Sequence, residues 1–161
     1  MKIKSYKPNE INDCREASQI SATILDELAS YISEGITTEE VDNYCLERIK
    51  KLGGIPAPLF YRGFPKPTCT SLNRVICHGI PSNDRKLLEG DILNVDITTI
   101  INGWHGDSSR MYKIGKVSVK ANNLCEVTHQ CLIESIKEIK VGDSISRIGK
   151  KIDEIANNNY F

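Results

Sequence analysis

The sequence is expected to fold as an α/β protein of the α+β kind, on three observations. Two pairs of segments carry apolar residues at the three-and-four spacing of buried helix faces, one pair near each end of the chain. Between them lies an alternating run that ends in Asn102-Gly103 and is followed by a second strand-like run. The first helix pair and the alternating run are separated by a proline-rich apolar stretch that no helix could accommodate. At 161 residues there is room for one domain with a real core, and residues 1–161 are read as a single domain.

The first helix is expected over Asn9–Tyr31, with Ile11, Cys14, Ala17, Ile24, Leu25, Leu28 and Ile32 on its buried face. After Gly35, Thr37 and Glu40 form the S/T-x-x-E pattern of a capping box. Val41, Tyr44, Cys45, Arg48 and Ile49 continue that second helix toward Gly53-Gly54. From Ile55 to Pro67 the prolines at 56, 58, 65 and 67 exclude a helix, while Leu59, Phe60, Tyr61 and Phe64 keep the stretch apolar. An irregular, partly buried loop of the kind that lines pockets is expected there.

Cys69–Ile76 reads as a strand closed by Gly79 and Pro81 just after His78. A polar loop runs to Gly90. From Asp91, Leu93, Val95, Ile97, Thr99 and Ile101 alternate with Asn94, Asp96 and Thr98, the pattern of a half-buried strand. Asn102-Gly103 supplies the two positive φ angles of a type I′ turn, and Trp104–Ile114 returns beside the first strand. Helices are expected over Ala121–Ile139 and Asp143–Asn157, the latter capped by Asp143 or Ser144. Superposing Gly142 on Gly35 places Ile148 on Val41, Ile152 on Cys45 and Ala156 on Ile49, so the chain reads as one unit followed by the start of a second copy that stops at Phe161.

Composition narrows the function classes. Lys+Arg and Asp+Glu balance at 21 each, so no global field draws the protein to nucleic acid or to an anionic membrane. No apolar run is long enough to span a bilayer, and Met1–Tyr6 has no apolar core of signal-peptide length, which predicts a soluble, cytoplasmic protein. The six cysteines include no C-x-x-C pair and fall mostly at apolar positions, as reduced small hydrophobic residues do.

The chemistry is concentrated on the hairpin. A two-residue turn pairs Ile101 with Trp104, and counting outward pairs Thr98 with Asp107 and Asp96 with Ser109. Asp96 and Asp107 then share a face as diagonal neighbours with Cα atoms about 7–8 Å apart. Two close carboxylates raise each other's proton affinity unless a cation lies between them, and a hard or borderline divalent ion is the economical solution. The alternative is a solvated hairpin face that carries two acids, one of them paired with Arg110 or Lys113. His105 shares the face as a further ligand or as a polar residue near the turn. His78 stands at a strand end from which a fixed imidazole can still reach solvent.

Several longer passages carry a family resemblance: Tyr61-Arg62-Gly63-Phe64-Pro65-Lys66, Cys69-Thr70-Ser71-Leu72-Asn73, Val75-Ile76-Cys77-His78-Gly79-Ile80-Pro81, Gly90-Asp91-Ile92-Leu93-Asn94-Val95-Asp96 and Gly103-Trp104-His105-Gly106-Asp107-Ser108-Ser109. The chain resembles the type I, bacterial-type methionine aminopeptidases of the M24 pita-bread peptidases, over essentially its whole length. The resemblance implies the pita-bread fold, here the first α/β half plus the opening helices of a pseudo-symmetric second half. It implies two divalent metal ions (Co, Mn, Fe or Zn), with Asp96 chelating one and Asp107 bridging both. It also implies that His78 contacts the substrate near the scissile amide and that Tyr61, Phe64 and Cys69 line the pocket for the methionine side chain.

The implied activity is removal of the initiator methionine from nascent peptides, at the ribosome, by an enzyme that is monomeric when complete. A pocket cysteine of some relatives is replaced by Pro58, and a pocket tyrosine by Phe64. The family's metal-binding His and two Glu, its second active-site His and its general-base Glu would all lie past Phe161, so the expectation is an incomplete ligand set and a chain inactive alone. A degenerate remnant, or a non-catalytic binding module of the same fold, is the alternative.

Overall fold

In a computed structural model that describes residues 4–161, the start of the N-terminal stretch screened above for a signal core, residues 1–3, lies outside the described residues. The elements are α1 (Pro8–Tyr31), α2 (Thr38–Lys51), β1 (Ile55–Pro56), a 3-10 turn (Tyr61–Gly63), β2 (Cys69–Leu72), β3 (Ile92–Ile101), β4 (Trp104–Lys113), α3 (Val119–Glu138) and α4 (Ser146–Asn158). The chain divides into two compact units, one ending at Lys116 and the other Val117–Phe161.

Helix α1 starts with Pro8 in its first turn, where the missing N–H costs no hydrogen bond, and the Glu10 carboxylate accepts the Lys7 N–H at 2.8 Å. Its buried stripe is Ala17, Ile20, Ser21, Ile24, Leu25 and Leu28. Ile11, expected on that stripe, is 47 % exposed, so the buried face begins further along the helix. The capping box of α2 forms as expected: Thr37 Oγ1 accepts the Glu40 N–H at 3.1 Å and the Glu40 carboxylate accepts the Thr37 N–H at 2.7 Å. Val41, Cys45 and Ile49 are fully buried, whereas Arg48 turns outward to chelate Glu27 of α1 with Nε–Oε2 at 2.6 Å.

Strand β3 is the organiser of the sheet, because every other strand pairs with it and all pairs are antiparallel. On one edge β2 pairs along its first half (Cys69↔Asp96 to Leu72↔Leu93) and β1 along its second (Ile55↔Ile100, Pro56↔Thr99). On the other edge β4 pairs along the full length, in the register counted from the Asn102-Gly103 turn, whose φ angles are 50° and 80°. Leu93, Val95, Ile97 and Thr99 face inward and pack with Ile24, Leu28, Val41, Cys45 and Ile49 into one core. All six cysteines are free thiols.

Two expectations are corrected. The strand beginning at Cys69 ends at Leu72 and not at Ile76, because Asn73, Cys77 and His78 take positive φ angles of 52°, 58° and 52° that no ladder accommodates. His78 therefore sits on a turn and not at a strand end. The stretch 55–67 is also less irregular than its prolines suggest: Pro56 closes a two-residue strand, where lacking an N–H is tolerated at a sheet margin.

The second unit is a helix pair. Ser118 caps α3 by accepting the Ala121 N–H at 3.2 Å. Ile145, next to the start of α4, is already in helical conformation, and Ser144 supplies the expected cap by accepting the Ser146 N–H at 3.4 Å, whereas the Asp143 carboxylate accepts the Lys140 N–H and pairs with Arg147. Gly142, which the sequence repeat superposes on Gly35, has the same φ of 92°. Both positions need a residue without a Cβ penalty to turn one helix into the next.

The packing of α1 on the hairpin leaves no clearance at Gly106, where an added Cβ would lie 2.1 Å from the Ala17 carbonyl carbon. Gly106→Ala is expected to destabilise the first unit by about 1–3 kcal/mol or more through forced displacement of α1. Ser21→Ala, which removes hydrogen bonds to the Gly106 carbonyl and Thr99 Oγ1 but forces no backbone to move, should cost about 1 kcal/mol. Urea midpoints in which the two variants fall in the opposite order would show that the contact yields easily.

Candidate metal and substrate site

The face of β3 and β4 turned away from the core carries Asp96, Thr98, His105 and Asp107, and these form the floor of a cavity of about 810 Å³. Its walls come from the two segments that flank β2. The chain leaves the sheet at Ala57, whose N–H donates to the Thr98 carbonyl at 2.9 Å, and re-enters at Cys69 opposite Asp96. Everything between must therefore bulge outward beside Asp96 and Thr98, and Tyr61 and Phe64 of that bulge are wall residues. Phe60 and Arg62 hold left-handed conformations (φ 64° and 49°) that fold it compactly.

The opposite wall includes His78 and Ile80. This turn is laid directly on β2: the Thr70 N–H donates to the Gly79 carbonyl at 2.8 Å, and the Gly79 N–H to Ser71 Oγ at 3.1 Å. A Cβ at Gly79 would be 2.2 Å from the Thr70 carbonyl oxygen, so glycine is what lets His78 come beside Cys69. Helix α2 holds both walls. The buried Asp42 carboxylate accepts the Thr68 N–H (3.0 Å) and Oγ1 (2.7 Å), and Glu39 pairs with Lys66, fixing the first wall. Thr38 Oγ1 accepts the Ser82 N–H at 3.0 Å and fixes the second.

The floor is acidic and partly dry. The carboxyl of Asp96 is held above its ordinary value of 3.8, first because burial penalises its charge, then because Asp107 repels that charge and hydrogen-bonds to its protonated form, with the His78 charge opposing. The same surroundings push the Cys69 thiol up to about 11, burial first and the Asp96 charge next, so it is an inert wall residue rather than a nucleophile. Arg110 does not neutralise the pair: it points to the α1 side, where it meets Asp26 at 2.6 Å. Thr98 Oγ1 donates to Asp107 Oδ1 at 2.9 Å.

All six residues singled out from sequence thus line one cavity: Tyr61, Phe64, Cys69, His78, Asp96 and Asp107, with His105 beside them. A carboxyl held protonated above its ordinary value beside a second acid fits a divalent cation as counter-charge. Among the described residues no group of three or more His, Cys, Asp or Glu side chains forms a complete metal cage. The walls' anchors, Asp42 and Thr38, were not found by sequence reasoning. Asp42 stands in an ordinary helical pattern, and the only signal for it was an acid on the face that also carries Cys45 and Ile49.

The model of metallopeptidase family M24 matches residues 12–161. A methionine aminopeptidase of Rickettsia prowazekii is 40% identical over 156 residues, which cover 97% of this chain and 60% of that protein. Methionine aminopeptidase A of Synechocystis is 47% identical over 147 residues, 91% of this chain and 58% of that one. The crystal structure of a methionine aminopeptidase from Thermotoga maritima superposes with a TM-score of 0.94 at 32% identity, over 98% of this chain and 63% of that one. The chain thus spans about three fifths of the length of the relatives it matches. These neighbours have the pita-bread fold expected from the sequence.

The raised affinity of Asp96 for its proton sets a pH dependence. A carboxyl whose folded value exceeds its unfolded one adds stability below the unfolded value and loses it as pH rises through the folded one. In chelator, Asp96→Asn should therefore melt above the wild type at pH 7. That gain should shrink as pH falls through the raised folded value and be gone below about 4, where the wild-type group is protonated in both states. An Asn variant that melts lower at pH 7 would mean that the Asp96 charge is stabilised and not penalised.

Proposed function

Because the chain belongs to metallopeptidase family M24, we propose that it carries one side of a methionine aminopeptidase site and that residues 1–161 are part of one such catalytic domain. The observation that carries this reading is the convergence of Asp96 and Asp107 on the floor of an apolar-walled cavity. Asp96 and Asp107 would hold divalent metal (Co, Mn, Fe or Zn), which when bound supplies a water ionised near neutral pH and a positive charge for the peptide's amine and carbonyl.

This chain's own residues perform the recognition. Tyr61 and Phe64 offer apolar surface to an unbranched, polarizable methionine side chain, and Cys69, un-ionised, closes the wall without adding charge. His78, fixed by the Gly79 contact on β2, faces the acids across the cavity and is assigned to hydrogen-bond the substrate near the scissile amide. The substrates are nascent peptides that begin with Met, met in the cytoplasm as they leave the ribosome, and the complete enzyme is a monomer. No helix of the described residues is long and apolar enough to cross a membrane.

A second reading, a binding module without hydrolysis, rests on the finding that among the described residues no three His, Cys, Asp or Glu side chains are grouped so as to hold a metal ion. Two carboxylates with water filling the other positions should bind Mn²⁺ with a dissociation constant on the order of a millimolar. Calorimetric titration is expected to show that binding lost in Asp107→Ala; affinity untouched by the substitution would remove these acids from the assignment. The 161 residues by themselves are expected to release no methionine from Met-Ala peptides. Chelator-sensitive release that Asp96→Ala abolishes would show instead that these residues suffice.

A further inference from the structure

We propose that Thr98 is a positioning residue that fixes the Asp107 carboxylate for a divalent cation, an inference that rests on the metal assignment above. Thr98 and Asp107 are direct partners in the β3–β4 ladder, and Thr98 Oγ1 donates to Asp107 Oδ1 at 2.9 Å. An ionised carboxylate can only accept, so the bond has one direction and claims one lone pair of one oxygen. The remaining lone pairs, and the whole of Oδ2, stay available to a cation.

What gives this bond its use is the rigidity behind it. Asp107 is an exposed side chain on a strand next to a hairpin turn, a place where a free carboxylate would sample several rotamers. Thr98 is held from both sides. Its carbonyl accepts the Ala57 N–H at 2.9 Å, and the following residue, Thr99, is locked into α1 by Oγ1 bonds to Ser21 Oγ (2.9 Å) and the Ala17 carbonyl (2.7 Å). The hydroxyl thus transfers the order of the core to an acid on the opposite face of the sheet. Cation binding then starts from a preset rotamer and loses less side-chain freedom, which is how partners of metal ligands raise affinity. The same Thr98 carbonyl starts the cavity wall at Ala57, so one residue sets both the acid and the wall beside it.

The test is Mn²⁺ affinity, read by water proton relaxation, which reports weak sites directly. Thr98→Val keeps the shape and removes the donor, whereas Thr98→Ser keeps the donor. Affinity is expected to fall about tenfold in Thr98→Val and to stay within about twofold of wild type in Thr98→Ser. In an Asp107→Asn background Thr98→Val should have no further effect, because the residue acts through that carboxylate. Equal affinity in wild type and Thr98→Val, or the same loss in the Asp107→Asn background, would overturn the proposal. If Thr98→Val unfolds early, Thr98→Ala against Thr98→Ser makes the same comparison. Mn²⁺ binding that is absent in wild type, or unchanged by Asp107→Asn alone, would overturn the metal assignment and this inference with it.

Discussion

The close approach of α1 to the hairpin at Gly106 is the constraint on which the site depends. With no side chain at that position the Ala17 backbone lies against β4, and Ser21 and Thr99 close the polar groups that such a contact would otherwise strand: Ser21 Oγ donates to the Gly106 carbonyl at 2.7 Å and shares a hydrogen bond with Thr99. Buried polar groups that are mutually satisfied specify one arrangement rather than many. Here they specify the height and register of α1 over β3 and β4. Arg110 and Tyr112 repeat the attachment further along, both donating to the Leu25 carbonyl. The residues immediately next to this seam, Thr98 and Asp107, belong to the opposite face and inherit its rigidity.

The first helix fixes the floor; the second fixes the walls. Asp42, Glu39 and Thr38 lie in the opening turns of α2, and each holds a loop residue: Thr68, Lys66 and Ser82 respectively. The burial of Asp42 raises its carboxyl above the ordinary value, a penalty that the two Thr68 donors only partly offset. A charge is kept in that place because it gathers backbone and hydroxyl donors from a loop that has no ladder of its own. The capping box of the same helix fixes where the helix begins.

An acid pair facing apolar walls is unfavourable for the folded chain on its own, and that is the usual mark of a place built for a ligand. Burial, the Asp107 charge and the hydrogen bond with Asp107 all act on Asp96 in one direction, and His78 supplies only partial relief. A divalent cation between the two acids would supply the counter-charge that makes the ionised carboxylate favourable there. The same burial keeps Cys69 protonated, so a thiol can line the cavity without competing as a soft ligand.

The hairpin was fully legible in the sequence. Alternation from Leu93 to Ile101 and the Asn102-Gly103 turn fix every cross-strand pair, since a one-residue slip would bury Asp96 and Asp107 and expose Val95 and Ile97. The buried faces of α1 and α2 and the Thr37–Glu40 capping box were legible for the same reason: they are periodic or local, and one stretch of chain carries the whole signal, whereas in the last two helices apolar residues at the same spacing, such as Leu132 and Ile136, are exposed. What only the tertiary structure decided is where the non-periodic segments go. The end of β2 at Leu72, the turn that carries His78, the Pro56 strand and the wall anchors Asp42 and Thr38 are set by contacts between residues far apart in sequence. Such contacts leave no periodic trace, because their free energy comes from desolvated hydrogen bonds and excluded volume that exist only once α1, α2 and the sheet are assembled.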